Sequence, residues 1–443
     1  MGSSPAGERK IKCDETLPTC LNCSKKHRQC RHVRLPPLKW VSSPALPFTQ
    51  PTEDPAPSRP FQGDTSWAHQ IATLSPRESL EYPTVVSLFT HYTTHLAPWY
   101  DLNDPHSLFT NAVPIRSLDE PILFRAILAF AASHLSRMIP TSSLDSTPVA
   151  VILHDSFLSS LISALSTITP STQANYLAAT CLLRSYEILN GDTRMAQQHL
   201  FGAFSLAVHL DIDLSTWGLA QAGFWNYLCE DITVALECRR PLHMRMMADR
   251  GMPRGMTEME QDWGNAITWV LAELVNLQFT EHEEDGVGGG GERWECSRRE
   301  LEEWKVGLPT SFEPISRASK EGNVFPSLWM LRPWYVAARQ YAAVAEILLV
   351  LSKPGQALDS EGREMRVQEL ALQVCGLAFT NEDVPARVNA FGPLAFCGRF
   401  LRESKYRSGL RCLLRNMARQ TGWNVDYILK DLYECWGESD LNS

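Results

Sequence analysis

Four cysteines in a short basic stretch are the residues of this sequence best placed to do chemistry. Cys13, Cys20, Cys23 and Cys30 are spaced Cys-x6-Cys-x2-Cys-x6-Cys. A Cys-x2-Cys pair sets two thiolates on one metal from a single tight turn, and a thiolate about seven residues further on closes the site. Zinc suits such a set because its filled d shell imposes no geometry beyond four-coordination. In a reducing compartment this clustering favours metal over disulfide. The lysines and arginines between the ligands offset thiolate charge. Residues 1–39 hold nine Lys or Arg against three acids, a local charge of +6 that leaves the remaining chain at −15 within a total of −9. A basic head on an acidic body points to a polyanion as the partner of the head.

The other eight cysteines (Cys181 to Cys435) are scattered through helical, apolar sequence, where thiols usually serve as small buried hydrophobes. His154, His199, His209 and His243 stand singly on apolar or basic helices and read as satisfied core or surface residues. No Gly-x-Ser-x-Gly, His-Glu-x-x-His, dinucleotide fingerprint or kinase motif set occurs, so the expectation is that the protein is not an enzyme. The run EHEEDGVGGGGE (281–292) lacks the Gly-Lys-Ser/Thr of a phosphate loop, and its carboxylates would repel phosphate; it reads as a flexible acidic loop.

The 443 residues, 44% of them apolar, suffice for two or three domains with a real core. Residues 1–35 form the cysteine-rich head. Residues 36–77, with eight prolines between Pro36 and Pro60, form a disordered linker without heptads, so no coiled-coil dimerisation helix follows the head. Residues 78–443 carry a helical period almost throughout, and the fold class is all-α: a small zinc head, the linker and a large all-helical domain. Helices are expected near 121–137, 151–167, 175–190, 194–210, 219–238 and 258–279, then near 294–305, 362–380, 402–419 and 423–436. A further helical face runs through Leu328, Leu331, Tyr335, Ala338, Ala342, Ala345 and Leu349. Arg239, Arg240 and Pro241 read as a helix end followed by a stop. Trp225, Trp304, Trp329, Trp334, Trp423 and Trp436 are core or groove-lining anchors, and a pocket between helices is one place for a small effector. No run of about 18 uninterrupted apolar residues occurs, and the N-terminus lacks an apolar leader core; the expectation is an intracellular soluble protein without membrane contact.

The segment RKIKCDETLPTCLNCSKKHRQC (9–30) resembles the latter two-thirds of the fungal Zn(II)2Cys6 binuclear cluster. Cys13, Cys20, Cys23 and Cys30 match its third to sixth cysteines, and Pro18 falls in the loop between its halves. The resemblance implies Zn2+ as cofactor and a short helix that enters the major groove of double-stranded DNA, commonly at CGG triplets. Arg9 and Lys10 are the candidates for base edges, and Lys12, Lys25, Lys26 and Arg28 for phosphates. Ser3 and Ala6 stand where the family has its first two ligands. Six thiolates hold two tetrahedral zincs only because two of them bridge, and four cannot. Three accounts stay open: a native start further upstream supplies the missing pair; a degenerate head holds one zinc through four thiolates, or through three plus His27, or holds none; or the match is fortuitous.

The body resembles the second type of fungal-specific transcription factor domain. The likeness is carried by YEILNGDTRMAQQHLFGA (186–203), FWNYLCEDITVALECRRPL (224–242), LEEWKVGLPTSFEPI (301–315), WMLRPWYVAARQYAAVAEILL (329–349), VPARVNAFGPLAFCGRFL (384–401) and TGWNVDYILKDLYECWG (421–437). It implies a nuclear, sequence-specific regulator of a fungal gene cluster, commonly one for secondary metabolism. Transcription machinery and a second copy of the chain would be its partners. The alternative is a headless regulator that acts through protein or ligand contacts of the helical body.

Overall fold

The computed structural model describes residues 66–71, 73–138, 147–164, 169, 172–190, 217–244, 259–280, 289–318, 322–352 and 360–438. The chain divides between Ser58 and Arg59, and every described residue lies in the second unit. The fold is all-α: no strand occurs among the described residues, only one isolated antiparallel bridge between Ser316 and Trp329.

The helical body opens with three short helices, α1 (Ser66–Ile71), α2 (Pro76–Ser79) and α3 (Pro83–His91). Helix α2 is set by its local sequence. The Ser75 hydroxyl accepts from Glu78 N, the Glu78 carboxylate accepts from Ser75 N, and Pro76 occupies the first turn, where its missing N–H costs nothing. Helix α1 lies inside the stretch read as linker, yet its Ala68 and Ile71 are buried, so packed structure starts before residue 78. A π-helical turn (Tyr92–Leu96) and a 3-10 turn (Ala97–Tyr100) follow α3, and two short helices, α4 (Leu108–Asn111) and α5 (Val113–Ser117), complete the approach.

The long helices then stack. α6 (Pro121–Met138) packs against α7 (Thr147–Ala164) and α8 (Gln173–Asn190), and α8 packs against α9 (Leu219–Cys238). α9 lies between α8 on one side and α10 (Glu260–Phe279) and α14 (Val384–Gly398) on the other. α12 (Pro333–Leu351) and α13 (Ser360–Thr380) close the far side, and α11 (Gly289–Gly307) flanks α10. α15 (Ser404–Thr421) and α16 (Asp426–Trp436) cover the rim with one apolar face each. One continuous core runs through the stack, from Phe124 and Phe130 through Leu228 and Ile232 to Ile347 and Phe391. Each such fully buried side chain contributes ~1.5–3 kcal/mol relative to exposure.

Three elements differ from the sequence reading. α12 begins at Pro333, so Leu328 and Leu331 precede it, and Leu331 is exposed. The residue before a proline is pushed out of the helical region, and Arg332 is extended (φ −136°, ψ 146°). α11 starts at Gly289, within the stretch read as a loop, and is pinned to α12 by the Trp294 indole N–H on Leu349 O at 3.1 Å. α14 forms although Pro393 lies inside it. The expected helix at 194–210 lies outside the described residues.

By length and composition α12 alone among the described helices would cross a membrane, but 72% of its apolar window is buried within the protein, as befits a core helix.

Candidate functional site: a polar cleft between α8, α9 and α14

The cysteines Cys13, Cys20, Cys23 and Cys30 and the basic residues Arg9, Lys10, Lys12, Lys25, Lys26 and Arg28 lie outside the described residues, as does His27. Among the described residues no group of three or more His, Cys, Asp or Glu is placed to hold a metal ion. The polar chemistry of the helical body gathers elsewhere.

Helices α8 and α9 are buried almost all round, so the polar groups they carry must find partners within the core. Arg184 on α8, 1% exposed, meets Glu230 on α9 twice: its Nε lies 3.3 Å from Glu230 Oε2 and its Nη2 donates to Glu230 O at 3.1 Å. Its guanidinium stands over the Tyr227 ring, 4.9 Å from the centroid. The other Glu230 oxygen accepts from Ser185 Oγ (3.1 Å), which in turn accepts from the Tyr100 hydroxyl (2.6 Å). Burial pushes the Glu230 carboxyl up to about 7, against the pull of Arg184 and Ser185. The adjacent Asp231 accepts from Met244 N at 2.7 Å and pairs with Arg240 at 3.4 Å.

Above this network lie two adjoining compartments, with ≈ 340 and ≈ 430 Å3 of empty space counted out to the solvent at their mouths. Tyr100, Asn226, Cys229 and Asn389 line both; Glu230, Trp99 and Trp423 line the larger, and Asp104, Trp217 and Trp225 the smaller. Asn389 reaches the cleft because α14 approaches α9 closely. A Cβ at Gly392 would sit 2.6 Å from Thr233 Cα, so only glycine allows this approach. Cys229 faces both compartments, and burial pushes its thiol up to about 11, which leaves it a protonated wall group.

A second polar contact joins the beginning and end of the helical body. His91 Nε2 and His134 Nδ1 are 2.9 Å apart, His95 lies beside His91, and the edge of Trp99 meets the His134 ring. On the neighbouring turn of α6, Arg137 Nε donates to Gly422 O at 2.6 Å, where Gly422 closes α15 in the left-handed region (φ +65°).

The residues singled out in sequence fall as follows. Trp225, Trp304, Trp423 and Trp436 are buried and Trp334 is half-buried, but Trp329 is 49% exposed, on the bridge to Ser316 rather than in the core. Arg239 takes a left-handed conformation (φ 53°) just past the end of α9, so the Arg-Arg-Pro sequence does stop that helix. Of the scattered cysteines, Cys181, Cys229, Cys375 and Cys397 are buried and Cys238 is half-buried. Cys296, Cys412 and Cys435 are exposed and are not core hydrophobes. His154 stacks on Tyr186, with centroids 4.3 Å apart. His243 carries no role in the cleft lining, and His199 and His209 lie outside the described residues. Sequence reasoning missed Glu230, Asn226 and Asn389 as site residues. The signal for Glu230 was a few charged residues, Arg184 and Glu187 on α8 and Glu230, Asp231 and Glu237 on α9, set in largely apolar helices where charge has to be paired.

Comparison with known proteins bears on the same region. A family profile described as "Fungal specific transcription factor domain" matches residues 87–217. Of the segments that carry the resemblance in sequence, the match reaches only the first, 186–203; it supplies Trp99, Tyr100 and Ser185 to the cleft, while Glu230, Asn389 and Trp423 come from beyond it. The chain is similar to Transcription activator AMTR1 of Alternaria alternata, 23% identical over 211 residues, 40% of this chain and 27% of the relative. It is also similar to an uncharacterized transcriptional regulatory protein of Schizosaccharomyces pombe, 28% identical over 132 residues, 28% of this chain and 22% of the relative. The matched segments thus span about a quarter of the length of these curated relatives. No solved structure matches at a significant level.

Proposed function

We propose that this protein is a nuclear transcription regulator that binds DNA through its cysteine-rich head and is controlled through its helical body. The observation that carries the reading is the family match at 87–217, together with two relatives whose names describe transcriptional regulation. Regulation of this kind requires no catalysis, so the protein is not read as an enzyme. The head adds the chemistry. Four thiolates at Cys13, Cys20, Cys23 and Cys30 form a donor set suited to one tetrahedral Zn2+, and such a metal would order a segment too small to fold on a core of its own. Arg9 and Lys10 would meet base edges and Lys12, Lys25, Lys26 and Arg28 phosphates, at CGG-type half-sites. The finer reading is a pathway-specific regulator of a secondary-metabolite gene cluster, which engages the transcription machinery as a monomer or homodimer.

A second reading is favoured by Ser3 and Ala6, which stand where the cluster pattern needs its first two cysteines. Under it the helical body regulates through protein or ligand contacts without DNA. Zinc analysis and binding to a CGG-containing duplex, with and without chelator, separate the two. Bound zinc with chelator-sensitive duplex binding supports the first reading. A chain without zinc that leaves the duplex free, and stays so when extended by a Cys-x2-Cys segment, removes it.

A further inference from the structure

The hydrogen bonds of the cleft wall leave it rich in acceptors. Asn226 Nδ2 donates to Tyr100 O (2.8 Å) and Ala222 O (2.9 Å), and Asn389 Nδ2 donates to Pro385 O (3.0 Å). An amide oxygen in either place would face a carbonyl oxygen, so the orientation of both carboxamides is fixed by their neighbours. Each leaves Oδ1 as an acceptor with no donor from the described residues. The hydroxyl hydrogens are consumed inside the wall: Tyr100 on Ser185, Ser185 on Glu230, and Thr233 on Cys229 O. Among the described residues the indole N–H groups Trp225 Nε1 and Trp423 Nε1 are buried without an acceptor, and Trp99 and Trp217 bring further indoles to the wall.

Charge points the same way. Among the described residues the charged groups that line the cleft are two carboxylates, Glu230 and Asp104, and Asp104 accepts from His106 N and Leu108 N. Arg184 is committed to Glu230 and the Tyr227 face, and Arg240 to Asp231 and Pro241 O. Aromatic rings line both parts, Trp99, Tyr100 and Trp423 in the larger compartment and Trp217 and Trp225 in the smaller, beside aliphatic groups such as Ile188, Val388 and Leu102. Aromatic faces, amide oxygens and a carboxylate are the complement of an organic cation, which gains from the ring quadrupoles as well as from the acceptors.

We propose that the cleft between α8, α9 and α14 binds a small aliphatic ammonium ion, whose N–H groups bond Asn226 Oδ1, Asn389 Oδ1 and the Glu230 carboxylate while its chain lies against Trp99 and Trp423. The site bridges the matched domain and the helices after it, so occupancy would couple the two halves of the helical body. The inference stands independently of DNA binding by the head.

The test is calorimetric titration of the full chain with three probes of like size: n-butylammonium, 1-butanol and butyrate. Butylammonium is expected to bind at least about 10-fold more tightly than butanol, and butyrate not to bind, as charge-assisted bonding to acceptors requires. Asn389→Leu, at a half-buried position away from the Arg184 pair, is expected to weaken butylammonium binding about 10-fold with the circular dichroism unchanged. Glu230→Gln is expected to do the same where it folds. Equal affinity for butylammonium and butanol, preference for butyrate, or no binding of any probe overturns the proposal, as does full binding by Asn389→Leu.

Discussion

His91 Nε2 lies 2.9 Å from His134 Nδ1, and the two rings can share that hydrogen bond only while at least one of them is neutral. Burial, then the neighbouring His95, pushes His91 down to about 4; burial, then His91, pushes His134 down to about 3. Both lie below the ordinary histidine value of 6.5, so between those limits the unfolded chain binds more protons and stability falls as pH falls. The contribution is fully present above pH 6.5 and is lost down to about pH 3–4.

The first prediction follows from that pair. Glu187, pushed up by burial to about 8, and Glu230 titrate in the opposite sense, so the whole-protein pH profile mixes the two effects. Comparison with His134→Leu isolates the histidine. From pH 7 to pH 5 the stability of the native protein is expected to fall by about 2 kcal/mol relative to the variant. Urea midpoints at both pH values measure it. Parallel profiles would count against a neutral buried His134.

Arg184 and Glu230 form an ion pair in the core, where losing one partner costs far more than losing both. Arg184→Met is expected to destabilise by ~3–5 kcal/mol, because it strands the Glu230 carboxylate, and Arg184→Met with Glu230→Leu to recover most of that loss. Denaturant unfolding of the two variants decides it. A single variant as stable as the double would show that the pair is not desolvated.

The approach of α14 to α9 rests on Gly392. In Gly392→Ala the new methyl meets Thr233 Cα, a backbone atom that cannot swing aside as a flexible side chain would. The expected cost is about 1–3 kcal/mol, with the cleft disturbed as Asn389 shifts. A melting temperature equal to that of the native protein would mean the helices can part at no cost.

Thiol labelling tests the burial pattern. Cys296, Cys412 and Cys435 are expected to react with a maleimide in the folded protein. Cys181, Cys229, Cys375 and Cys397 should wait for unfolding, slower by about 100-fold or more, since burial both shields them and suppresses the thiolate. The Cys375 thiol, for instance, is pushed up to about 12. Mass mapping of labelled peptides reads this out, and early labelling of Cys375 would contradict the packing of α13 against α14.

The helices were legible where local rules and packing agree. α9 runs from Leu219 to Cys238 as its pattern indicates, because Gly218 and Arg239 to Pro241 bracket an apolar run. α14 was not legible as a helix, since Gly-Pro is a turn signal in sequence, whereas the helix continues through Gly392-Pro393 where it packs against α9, α12 and α13. The cleft was legible only as a general site between helices. Tyr100, Ser185, Glu230 and Asn389 come from four separate segments, and nothing in linear spacing joins them. The His91–His134 pair, 43 residues apart, was hidden for the same reason. Conversely, the metal-ligand reading of Cys13 to Cys30 is purely one of spacing, which short-range motifs carry well and folds do not add to.

The head yields the last prediction. If Lys10 meets a base edge and Lys26 a phosphate, their alanine variants should fail in different ways. A lost base contact removes ~1–3 kcal/mol of discrimination and leaves non-specific affinity nearly intact. A lost phosphate contact weakens all sequences alike and lowers the salt dependence of log affinity by about one counterion. Lys10→Ala is therefore expected to flatten the preference for a CGG duplex over a scrambled one, and Lys26→Ala to lower both affinities together. Competition binding at several salt concentrations distinguishes them. Equal losses on both duplexes for both variants would place Lys10 on the backbone and leave base reading to Arg9 or to residues upstream.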